Sequence, residues 1–427
     1  MAPLHTNVAA GPATLRDDAT ARPSMTATPE PRWLRRGEPA FRRMNAALFL
    51  AGIATFSMIY CVQPLLPLFT DAFGVSAAAS SLALSLTTGS LAMSILLCGP
   101  LSDRLGRRAV MTTSLFTAAA LHLASAAAPG WPAFLALRTA EGFALGGAPA
   151  IAMAYLAEEV DPRGLGFAMG LYVGGTSIGG MAGRIVTGLL ADLLDWRGAE
   201  AGIGLLGVAA AAGFVWLLPP SRNFVGKPFA SLTETATGVL RQFGRPGLPA
   251  VYGSGALLVG GFVTVYNYAG FRLQAPPYGL SQSASGAVFL LYALGPASAT
   301  AAGALADRVG RAPMLGACGL LLAAGVMLTL ATPLALVVTG IGLCSIGFFG
   351  GHAVCSGWVG RLAGPAKGQA ASLYLLCYYL GSSMLGSLGG FFWTHGGWPA
   401  VAGFVAGLLV IQVLVAARLW SRPPPDA

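Results

Sequence analysis

Ionisable side chains inside long apolar stretches are the residues with which this sequence could do chemistry, because charge is costly there and is rarely kept without a role. Arg138 and Glu141 stand three positions apart in one such stretch. On a helix this spacing places both side chains on one face, where they can partly neutralise each other. Glu141 is the only acidic residue that we place deep in an apolar stretch, so it is the leading candidate for a group that binds and releases a proton. The alternative is a fixed structural ion pair with Arg138.

Three further ionisable residues lie in apolar stretches. Arg184 has no neighbouring acid in its own helix. It could bind an anionic group of a ligand, pair with Glu141 of another helix, or lie toward the outer end of its helix and extend to the membrane interface. His352 could change its charge near neutral pH, although a lone histidine is more often a hydrogen-bonded packing residue. The same alternative applies to His122, whose stretch holds little else that is polar.

Polar and aromatic side chains scattered along the apolar stretches could line a binding cavity. They are Tyr60, Gln63, Tyr266, Asn267, Tyr268, Tyr292, Tyr378 and Tyr379. A cavity with several tyrosines and few charges would suit a neutral, cationic or amphipathic small organic molecule better than a polyanion. For any single tyrosine, the alternative is anchoring at the membrane–water interface.

A charged motif, GPLSDRLGR, connects two apolar stretches at residues 99–107. Its glycines, Gly99 and Gly106, permit close backbone approach at helix ends. Asp103 beside a helix end can cap free N–H groups. The nearby cations are Arg104, Arg107 and Arg108, and the acids of the next loop on the same side are Glu158, Glu159 and Asp161. Ion pairs among them would form a latch that is closed in one conformation and open in another; the alternative is a short charged loop that only fixes topology.

The motif recurs as GALADRVGR at residues 303–311, at an offset of 204 and with six of nine positions identical. Its matching positions are Gly303, Leu305, Asp307, Arg308, Gly310 and Arg311. A second pair of segments, 171–196 and 373–398, matches at an offset of 202. Two matches at nearly one offset predict two halves in parallel orientation, an arrangement that secondary transporters use.

The elements that position these residues follow from composition. Of 427 residues, 55% are hydrophobic and 10% are charged, whereas soluble domains carry about 25% charged residues. A bilayer is therefore the solvent that fits, and apolar segments of roughly 20–24 residues can cross it as helices. The predicted fold is an all-α membrane protein with twelve transmembrane helices in two pseudo-symmetric six-helix bundles. The predicted spans are 44–69, 79–101, 109–128, 132–157, 166–190, 198–218, 247–271, 284–306, 313–331, 334–358, 369–393 and 399–419.

The domain organisation follows from where the apolar stretches begin and end. Residues 1–43, rich in Pro, Ala, Thr and Arg, predict a disordered basic cytoplasmic tail. The remaining predicted units are a first bundle at 44–218, a cytoplasmic linker at 219–246, a second bundle at 247–420 and a short cytoplasmic tail at 421–427.

Lysine and arginine are unevenly distributed between the two sides. With the N-terminal tail taken as cytoplasmic, 21 of the 25 lie on that side and two, Arg197 and Arg272, lie on the other. This asymmetry is the positive-inside pattern and predicts that both termini are cytoplasmic. The net charge of +9 therefore indicates topology and not a nucleic-acid partner. The six cysteines show no CxxC or Cys/His cluster, so neither a disulfide framework nor a metal site is expected.

The loop motif resembles the G-x-L-(A/S)-D-R-x-G-R-(R/K) signature of the major facilitator superfamily, and the resemblance covers nearly the whole chain after residue 40. The stretches YCVQPLLPLF, SIGGMAGR and SLYLLCYYLGSS are similar to those of bacterial YnfM-type inner-membrane transporters, which are grouped near the drug:proton antiporters. The resemblance implies a cytoplasmic gate residue at Asp103, supported by Gly99, Gly106 and Arg107.

Two further family motifs are matched incompletely. R-x-x-Q-G appears as RTAEG, with Glu141 in the glutamine position, and the antiporter motif G-P-x-x-G-G appears as GTSIGG, with Thr176 in the proline position. The second departure leaves the direction of transport open.

The expected function is proton-coupled efflux of a small organic solute by alternating access, similar to drug:proton antiport, across the bacterial cytoplasmic (inner) membrane. The alternative is a proton symporter or uniporter that imports a small metabolite. The sequence has no GxxxxGK[ST] nucleotide-binding loop, so the proton gradient is the expected energy source and no cofactor is expected. An enzyme is not expected, because no catalytic constellation is present. The expected partners are a small-molecule substrate and the lipid bilayer, and the expected state is a monomer.

Overall fold

The computed structural model describes residues 32–226, 237–238, 240–422 and 424, and within these ranges the chain is almost entirely helical. The first half, residues 39–217, contains α1 (Pro39–Tyr60), α2 (Val62–Phe73), α3 (Ala77–Ser80), α4 (Leu82–Leu105), α5 (Arg107–Ala126), α6 (Trp131–Leu145), α7 (Gly147–Glu159), α8 (Pro162–Leu193) and α9 (Trp196–Leu217). The second half, residues 248–421, contains α10 (Leu248–Gln274), α11 (Gln282–Gly286), α12 (Leu294–Val309), α13 (Arg311–Leu328), α14 (Leu334–Leu362) and α15 (Lys367–Ser421). Short 3-10 helices lie at Arg241–Gly244, Ala287–Ala293 and Gly364–Ala366.

Ten helical segments in the described ranges are long and apolar enough to cross a membrane. Two features explain why ten such segments are found where twelve spans were predicted. The 32-residue helix α8 is rich in glycine, which lowers its hydropathy, and it is not among the ten. The helix α15 is one segment of 55 residues in which Gly396 and Gly397 have non-helical backbone angles.

Helix-ending conformations recur at equivalent positions of the two halves. The helices α4 and α12 end at Gly106 and Gly310, whose φ angles are 93° and 96°. A side chain would be strained at such positive φ angles, so both positions favour glycine. Ser76 and Ser281 each cap a helix by accepting a hydrogen bond from the backbone N–H three residues later. The repeat in the sequence is therefore also a repeat in local structure.

Glycines bring pairs of helices into backbone contact. On α8, a Cβ atom added to Gly179 would lie 2.5 Å from the Cα of Ile53 on α1. On α15, a Cβ atom added to Gly381 would lie 2.6 Å from the carbonyl oxygen of Ala256 on α10. Small residues at regular spacing allow this close approach in membrane helices. Each half therefore contains a pair of helices in backbone contact.

The predicted tail and linker differ in part from the structure. Residues 1–31 of the tail and residues 227–236 and 239 of the linker lie outside the described residues. The prediction of disorder is wrong for residues 32–43, because α1 begins at Pro39 and Leu34 is buried. The backbone of Leu34 donates to Glu159 and accepts from Asp161, so this segment satisfies backbone groups at the end of α7.

The two halves are joined toward one side of the molecule. We call the end that carries Asp103 and Asp307 the motif end, and the other the opposite end. Among the described residues, all hydrogen bonds between the halves lie from mid-helix toward the opposite end. They join Gln63 to Asn267, Pro64 to Gln282, Ser81 and Ser85 to Ser387, Ser85 to Ser383, Arg184 to Tyr292, and Asp192 to Gln282 and Ser283. In the described ranges, hydrogen bonds thus join the halves at the opposite end, and none joins them at the motif end.

Candidate functional site

The break between α1 and α2 is stabilised by an arginine from α6. Pro64 has no N–H group and interrupts regular helical hydrogen bonding near this break. Arg138 donates to the carbonyl oxygen of Met58 at 3.0 and 3.1 Å and to that of Ile59 at 3.0 Å. These contacts fix residues 58–63, which we call the kink segment.

Arg138 also belongs to a group of four buried ionisable side chains. Its guanidinium lies 2.7 Å from Oε2 of Glu141, and Oε1 of Glu141 lies 2.9 Å from Nδ1 of His122. The other ring nitrogen of His122, Nε2, lies 3.5 Å from Oε2 of Glu200. All four side chains are fully buried. We call Arg138, Glu141, His122 and Glu200 the buried charge cluster.

This cluster confirms one sequence-based expectation and corrects another. Arg138 and Glu141 form the predicted i,i+3 pair. The prediction that Glu141 is the only acid deep in a span is wrong, because Glu200 is equally buried. Glu200 lies in the first turns of α9, where a side chain normally reaches water, but here α9 packs against α5 and covers it. The sequence did hold a signal for this residue: Glu200 is an acid two positions inside the predicted span 198–218.

The charges of the cluster balance only after one proton is bound. Arg138 contributes one positive charge, and the carboxylates of Glu141 and Glu200 contribute two negative charges, so a neutral His122 would leave a buried net charge. Such a charge is strongly unfavourable. Nδ1 of His122 faces both Glu141 and a nitrogen of Arg138. Because Arg138 already neutralises Glu141, the extra proton belongs to the contact between Nε2 of His122 and Glu200. The geometry is suited to binding and releasing a single proton.

Part of the same region has the donor set of a metal site. One donor atom each from Cys61, His122 and Glu200 lie within 4.8 Å of one another. Arg138 places a guanidinium nitrogen 3.0 Å from Nδ1 of His122. A divalent cation beside this positive charge would be repelled, so the donor set fits a proton better than a metal ion.

A second buried arginine lies between the two halves. Arg184 of α8 is 1% exposed. It donates to Oε1 of Gln63 at 2.5 Å, to the carbonyl oxygen of Gly180 at 2.5 Å and to the hydroxyl of Tyr292 at 3.1 Å. A guanidinium has five N–H donors, so the described contacts use three of them.

Aromatic rings surround this guanidinium. The ring centroids of Tyr60, Tyr292 and Phe289 lie 4.1, 4.5 and 5.0 Å from the central carbon of Arg184. Cation–π attraction partly compensates for the buried charge. We call Arg184, Gln63 and these three rings the central arginine site. One of the three alternatives for Arg184, pairing with Glu141, is wrong: no carboxylate of the described residues forms an ion pair with Arg184, and Glu141 is bound to Arg138 and His122 instead.

The remaining predicted cavity residues of α10 have different surroundings. Asn267 accepts a hydrogen bond from Nε2 of Gln63 at 2.7 Å and so adjoins the central arginine site. Tyr268 is fully buried, and its hydroxyl donates to the carbonyl oxygen of Gly386 at 3.2 Å. The structure therefore places Tyr268 in the α10–α15 packing contact.

The third predicted proton-coupling candidate, His352, lies in an aromatic group of the second half. Its Nδ1 is 2.8 Å from the hydroxyl of Tyr374, and its ring centroid is 4.9 Å from that of Tyr378. No acid forms an ion pair with His352 among the described residues. The structure thus gives His352 a neutral hydrogen-bond partner and places it beside Tyr378.

The charged motif forms ion pairs at the motif end. Arg107 lies 2.6 Å from Asp103 and 2.7 Å from Glu158, and it also donates to the hydroxyl of Ser102. The expected capping of a helix start by Asp103 is wrong, since the N-cap of α5 is Gly106 with no side-chain hydrogen bond.

The repeated motif has matching contacts in the second half. Asp307 lies 2.9 Å from Arg311 and 3.2 Å from Arg361. The other two predicted gate arginines, Arg104 and Arg308, form no ion pair within the described part of the chain.

The family of the protein follows from this fold and from comparison with known proteins. The family model of the Major Facilitator Superfamily matches residues 48–294 and 255–427. The chain belongs to this superfamily. The resemblance inferred from the loop motif is confirmed, and so is the expectation that the chain is a transporter and not an enzyme.

Similarity to individual proteins shows which members of the superfamily the chain resembles. The chain is 44% identical over 396 residues to the inner membrane transport protein YnfM of Escherichia coli (strain K12), covering 91% of this chain and 93% of that protein. It is 41% identical over 387 residues to the MFS-type transporter YybF of Bacillus subtilis (strain 168), covering 91% and 96%. A bacterial homolog of the human lysosomal transporter Spinster, in an inward-facing and occupied conformation, matches the fold with a TM-score of 0.72 at 14% identity, covering 90% of this chain and 96% of that one. The protein is a multi-pass inner-membrane transporter of a small-molecule substrate.

Proposed function

We propose that the chain is a proton-coupled secondary active transporter with twelve membrane crossings, which moves a small organic solute by alternating access. Helix α8 supplies one crossing beyond the ten apolar segments, and the non-helical Gly396 and Gly397 divide α15 into two. Six crossings in each half would form two bundles. The asymmetry of lysine and arginine supports cytoplasmic termini and hence a cytoplasmic motif end.

In this topology, the lack of described hydrogen bonds between the halves at the motif end supports a conformation open toward the cytoplasm. The bonds between the halves lie toward the opposite end, which would face outward, and the central arginine site lies between the halves. Rocking of the halves about that site would expose it to each side in turn.

The observation that carries the proton coupling is the contact between the buried charge cluster and the kink segment. Arg138 belongs to the cluster and holds the carbonyl groups of Met58 and Ile59. The next turn of the same segment supplies Tyr60 and Gln63 to the central arginine site. Gain or loss of a proton in the cluster would change the partners of Arg138 and so shift residues that contact the solute.

Two directions of coupling are proposed in order. Efflux by proton antiport comes first, because of the similarity to transporters grouped with the drug:proton antiporters. Import by proton symport is the second candidate. It is favoured by the separation of the two sites, because a proton between His122 and Glu200 and a solute at Arg184 can be bound together.

Proton binding can be tested without knowing the solute. Between about pH 8 and pH 5, where a histidine ordinarily changes its charge, we expect purified full-length protein to bind one more proton than the Glu200→Gln variant, because the variant cluster is already neutral with neutral His122. The measurement is a potentiometric titration of both proteins in detergent. Asp71→Asn, which removes an exposed acid at the opposite end, serves as the matched control for a lost carboxylate. Equal proton uptake by the wild type and Glu200→Gln would overturn the assignment of the proton.

Transport is tested in proteoliposomes with an imposed pH gradient. A screen of small organic solutes should find one whose flux follows the gradient in the wild type and not in Glu200→Gln. The sign of the response, compared between inward and outward proton gradients, distinguishes antiport from symport. A solute whose flux is carried by the protein but is indifferent to the gradient would show a uniporter.

A further inference from the structure

The central arginine site holds a buried positive charge that no described carboxylate neutralises. Arg184 is 1% exposed, and its recorded partners are an amide oxygen, a carbonyl oxygen and a hydroxyl. Removing a guanidinium from water costs several kcal/mol unless an anion or a well-formed set of hydrogen bonds replaces the water. By contrast, Arg138 lies beside Glu141 at 2.7 Å. Within the described part of the chain, one buried arginine thus has a counter-charge and the other has none.

The remaining donors of Arg184 fit an anionic group. Three of its five N–H groups are used, and Gln63 and Gly180 hold the guanidinium in a fixed orientation. A planar guanidinium with free donors binds a carboxylate through two parallel hydrogen bonds. One cation matches one negative charge, so a monoanion fits and a polyanion would leave charge unpaired.

An aromatic wall extends from this cation into the second half. The ring of Tyr292 lies 5.3 Å from that of Phe262, which stacks on Phe348 at 3.9 Å. Phe348 in turn lies 6.3 Å from Tyr378. Tyr292 and Tyr378 are partly exposed, whereas Phe262 and Phe348 between them are buried, so the two tyrosines are the rings of this wall that a ligand can contact. A flat apolar body can pack against such rings.

We propose that the central arginine site binds an organic monoanion, with its carboxylate or an equivalent acidic group on Arg184 and a flat apolar body against the exposed parts of Tyr292 and Tyr378. The proposal rests on the proposed transport function and names the class of its solute. It takes up the alternative that Arg184 binds an anionic group of a ligand. It differs from the neutral, cationic or amphipathic solute expected from the tyrosines, because a cation at this position would be repelled by Arg184. The binding of such an anion removes the uncompensated charge from the interior.

Equilibrium binding tests this assignment separately from transport. The full-length protein is placed in nanodiscs of zwitterionic lipid, so that no anionic lipid competes, and thermal stabilisation is measured with matched sets of aromatic compounds. Each set consists of a carboxylate, its carboxamide and the corresponding amine, for example benzoate, benzamide and benzylamine. For at least one set, we expect the carboxylate to bind roughly 10- to 100-fold more tightly than the other two members. The proposal is overturned if no carboxylate binds more tightly than its amide and amine.

Variants assign the preference to Arg184. Arg184→Gln should reduce the ratio of carboxylate to carboxamide affinity to about one, and Arg184→Lys should retain part of the preference, because it keeps the charge but not the paired donors. Arg197→Gln is the matched control, since Arg197 also lies over an aromatic ring, that of Trp196 at 4.3 Å, but lies outside this site. A full preference in Arg184→Gln would overturn the assignment. If Arg184→Gln does not fold, Arg184→Lys and the wild-type ratio decide.

The proposed function and the proposed solute class can fail independently. Arg184-dependent binding of a carboxylate that the protein does not carry in proteoliposomes would contradict the transport proposal and leave the site assignment standing. Gradient-driven flux of neutral or cationic solutes, without carboxylate preference, would contradict the solute class alone.

Discussion

Two fully buried arginines in the first half have opposite electrostatic surroundings. Arg138 is held by a carboxylate and by carbonyl oxygens of the kink segment, residues 58–63. Arg184 is held by neutral oxygens and aromatic rings. An arginine with a permanent counter-charge has a structural or proton-linked role, whereas one without it is suited to attract a ligand. The identity of each partner, more than burial itself, separates the two roles.

Asp103→Asn should slow transport and leave solute binding unchanged. The side chain contacts Arg107 at the motif end, and Arg107 also binds Glu158 of the same half. Loss of this charge partner changes the relative stability of the conformations in which the ion pair is formed and broken. A change of about 1.4 kcal/mol in the barrier between them would change the transport rate tenfold. The measurement compares initial transport rates with equilibrium affinity.

The control for this substitution is Asp161→Asn. Its carboxylate lies 3.6 Å from Arg35, whose side chain is 70% exposed, and such a surface pair contributes little. An unchanged rate in Asp103→Asn, or an equal loss of affinity, would remove the role of Asp103 as a latch.

The sequence predicted contacts between close neighbours and missed those between distant ones. Arg138 and Glu141 are one helical turn apart, so their pairing follows from helix geometry. His122 and Glu200 belong to different helices, and their approach depends on how α5 packs against α9. Hydropathy does not specify that packing. Hydropathy likewise places Arg184 inside a span, but it does not reveal the residues of the other half that contact this arginine.

At the scale of the element, glycine decides which helices touch. Helix α8 contacts α1 through Gly175, Gly179 and Gly183, and its other glycines include positions with free space around them. Close contact along α1 also places Arg184 beside the kink segment. The regular spacing of these three glycines is visible in the sequence, but the sequence does not indicate which helix is the partner.

Gly179→Ala should destabilise the protein, whereas Gly174→Ala on the same helix should not. A Cβ atom at Gly179 would lie 2.5 Å from the Cα of Ile53, and nothing lies within 4 Å of a Cβ atom at Gly174. Backbone atoms cannot move aside as a flexible side chain can, so a cost of about 1–3 kcal/mol is expected for Gly179→Ala. Thermal unfolding in detergent measures the difference. Equal melting temperatures for the two variants would mean that α1 and α8 are not packed as described.

Hydropathy located most helices but not their interruptions. The predicted spans match the observed helices closely, because crossing a bilayer requires a minimum apolar length. The break before Val62 and the non-helical Gly396 and Gly397 inside α15 follow from local backbone chemistry. Hydropathy averages over such positions. The kink segment is functionally informative for this reason: it connects the buried charge cluster with the central arginine site.

At the scale of the whole molecule, the pseudo-symmetry brings equivalent positions together. Gln63 and Asn267 are separated by 204 positions, the offset of the repeated motif, and they hydrogen-bond to each other at 2.7 Å. A parallel repeat has an axis between its halves along the membrane normal, and a direct contact between equivalent residues lies on that axis. The central arginine site adjoins this contact, so a solute there would be close to the point about which the halves rotate.

A disulfide across the opposite end should therefore stop transport. The hydroxyl oxygens of Ser85 and Ser387 lie 2.6 Å apart, one in each half, which is close enough for a pair of cysteines to be oxidised with small adjustments. In a background whose six native cysteines are replaced, oxidation of Ser85→Cys with Ser387→Cys should reduce transport to near background, and a reductant should restore it. Ser85→Cys alone, treated with the same oxidant, is the control. Equilibrium binding to the crosslinked protein should persist, because the disulfide holds the halves in the arrangement in which Gln63 and Tyr292 contact Arg184. Undiminished transport by the fully crosslinked protein would show that the halves need not separate at the opposite end, and alternating access by rocking would have to be abandoned.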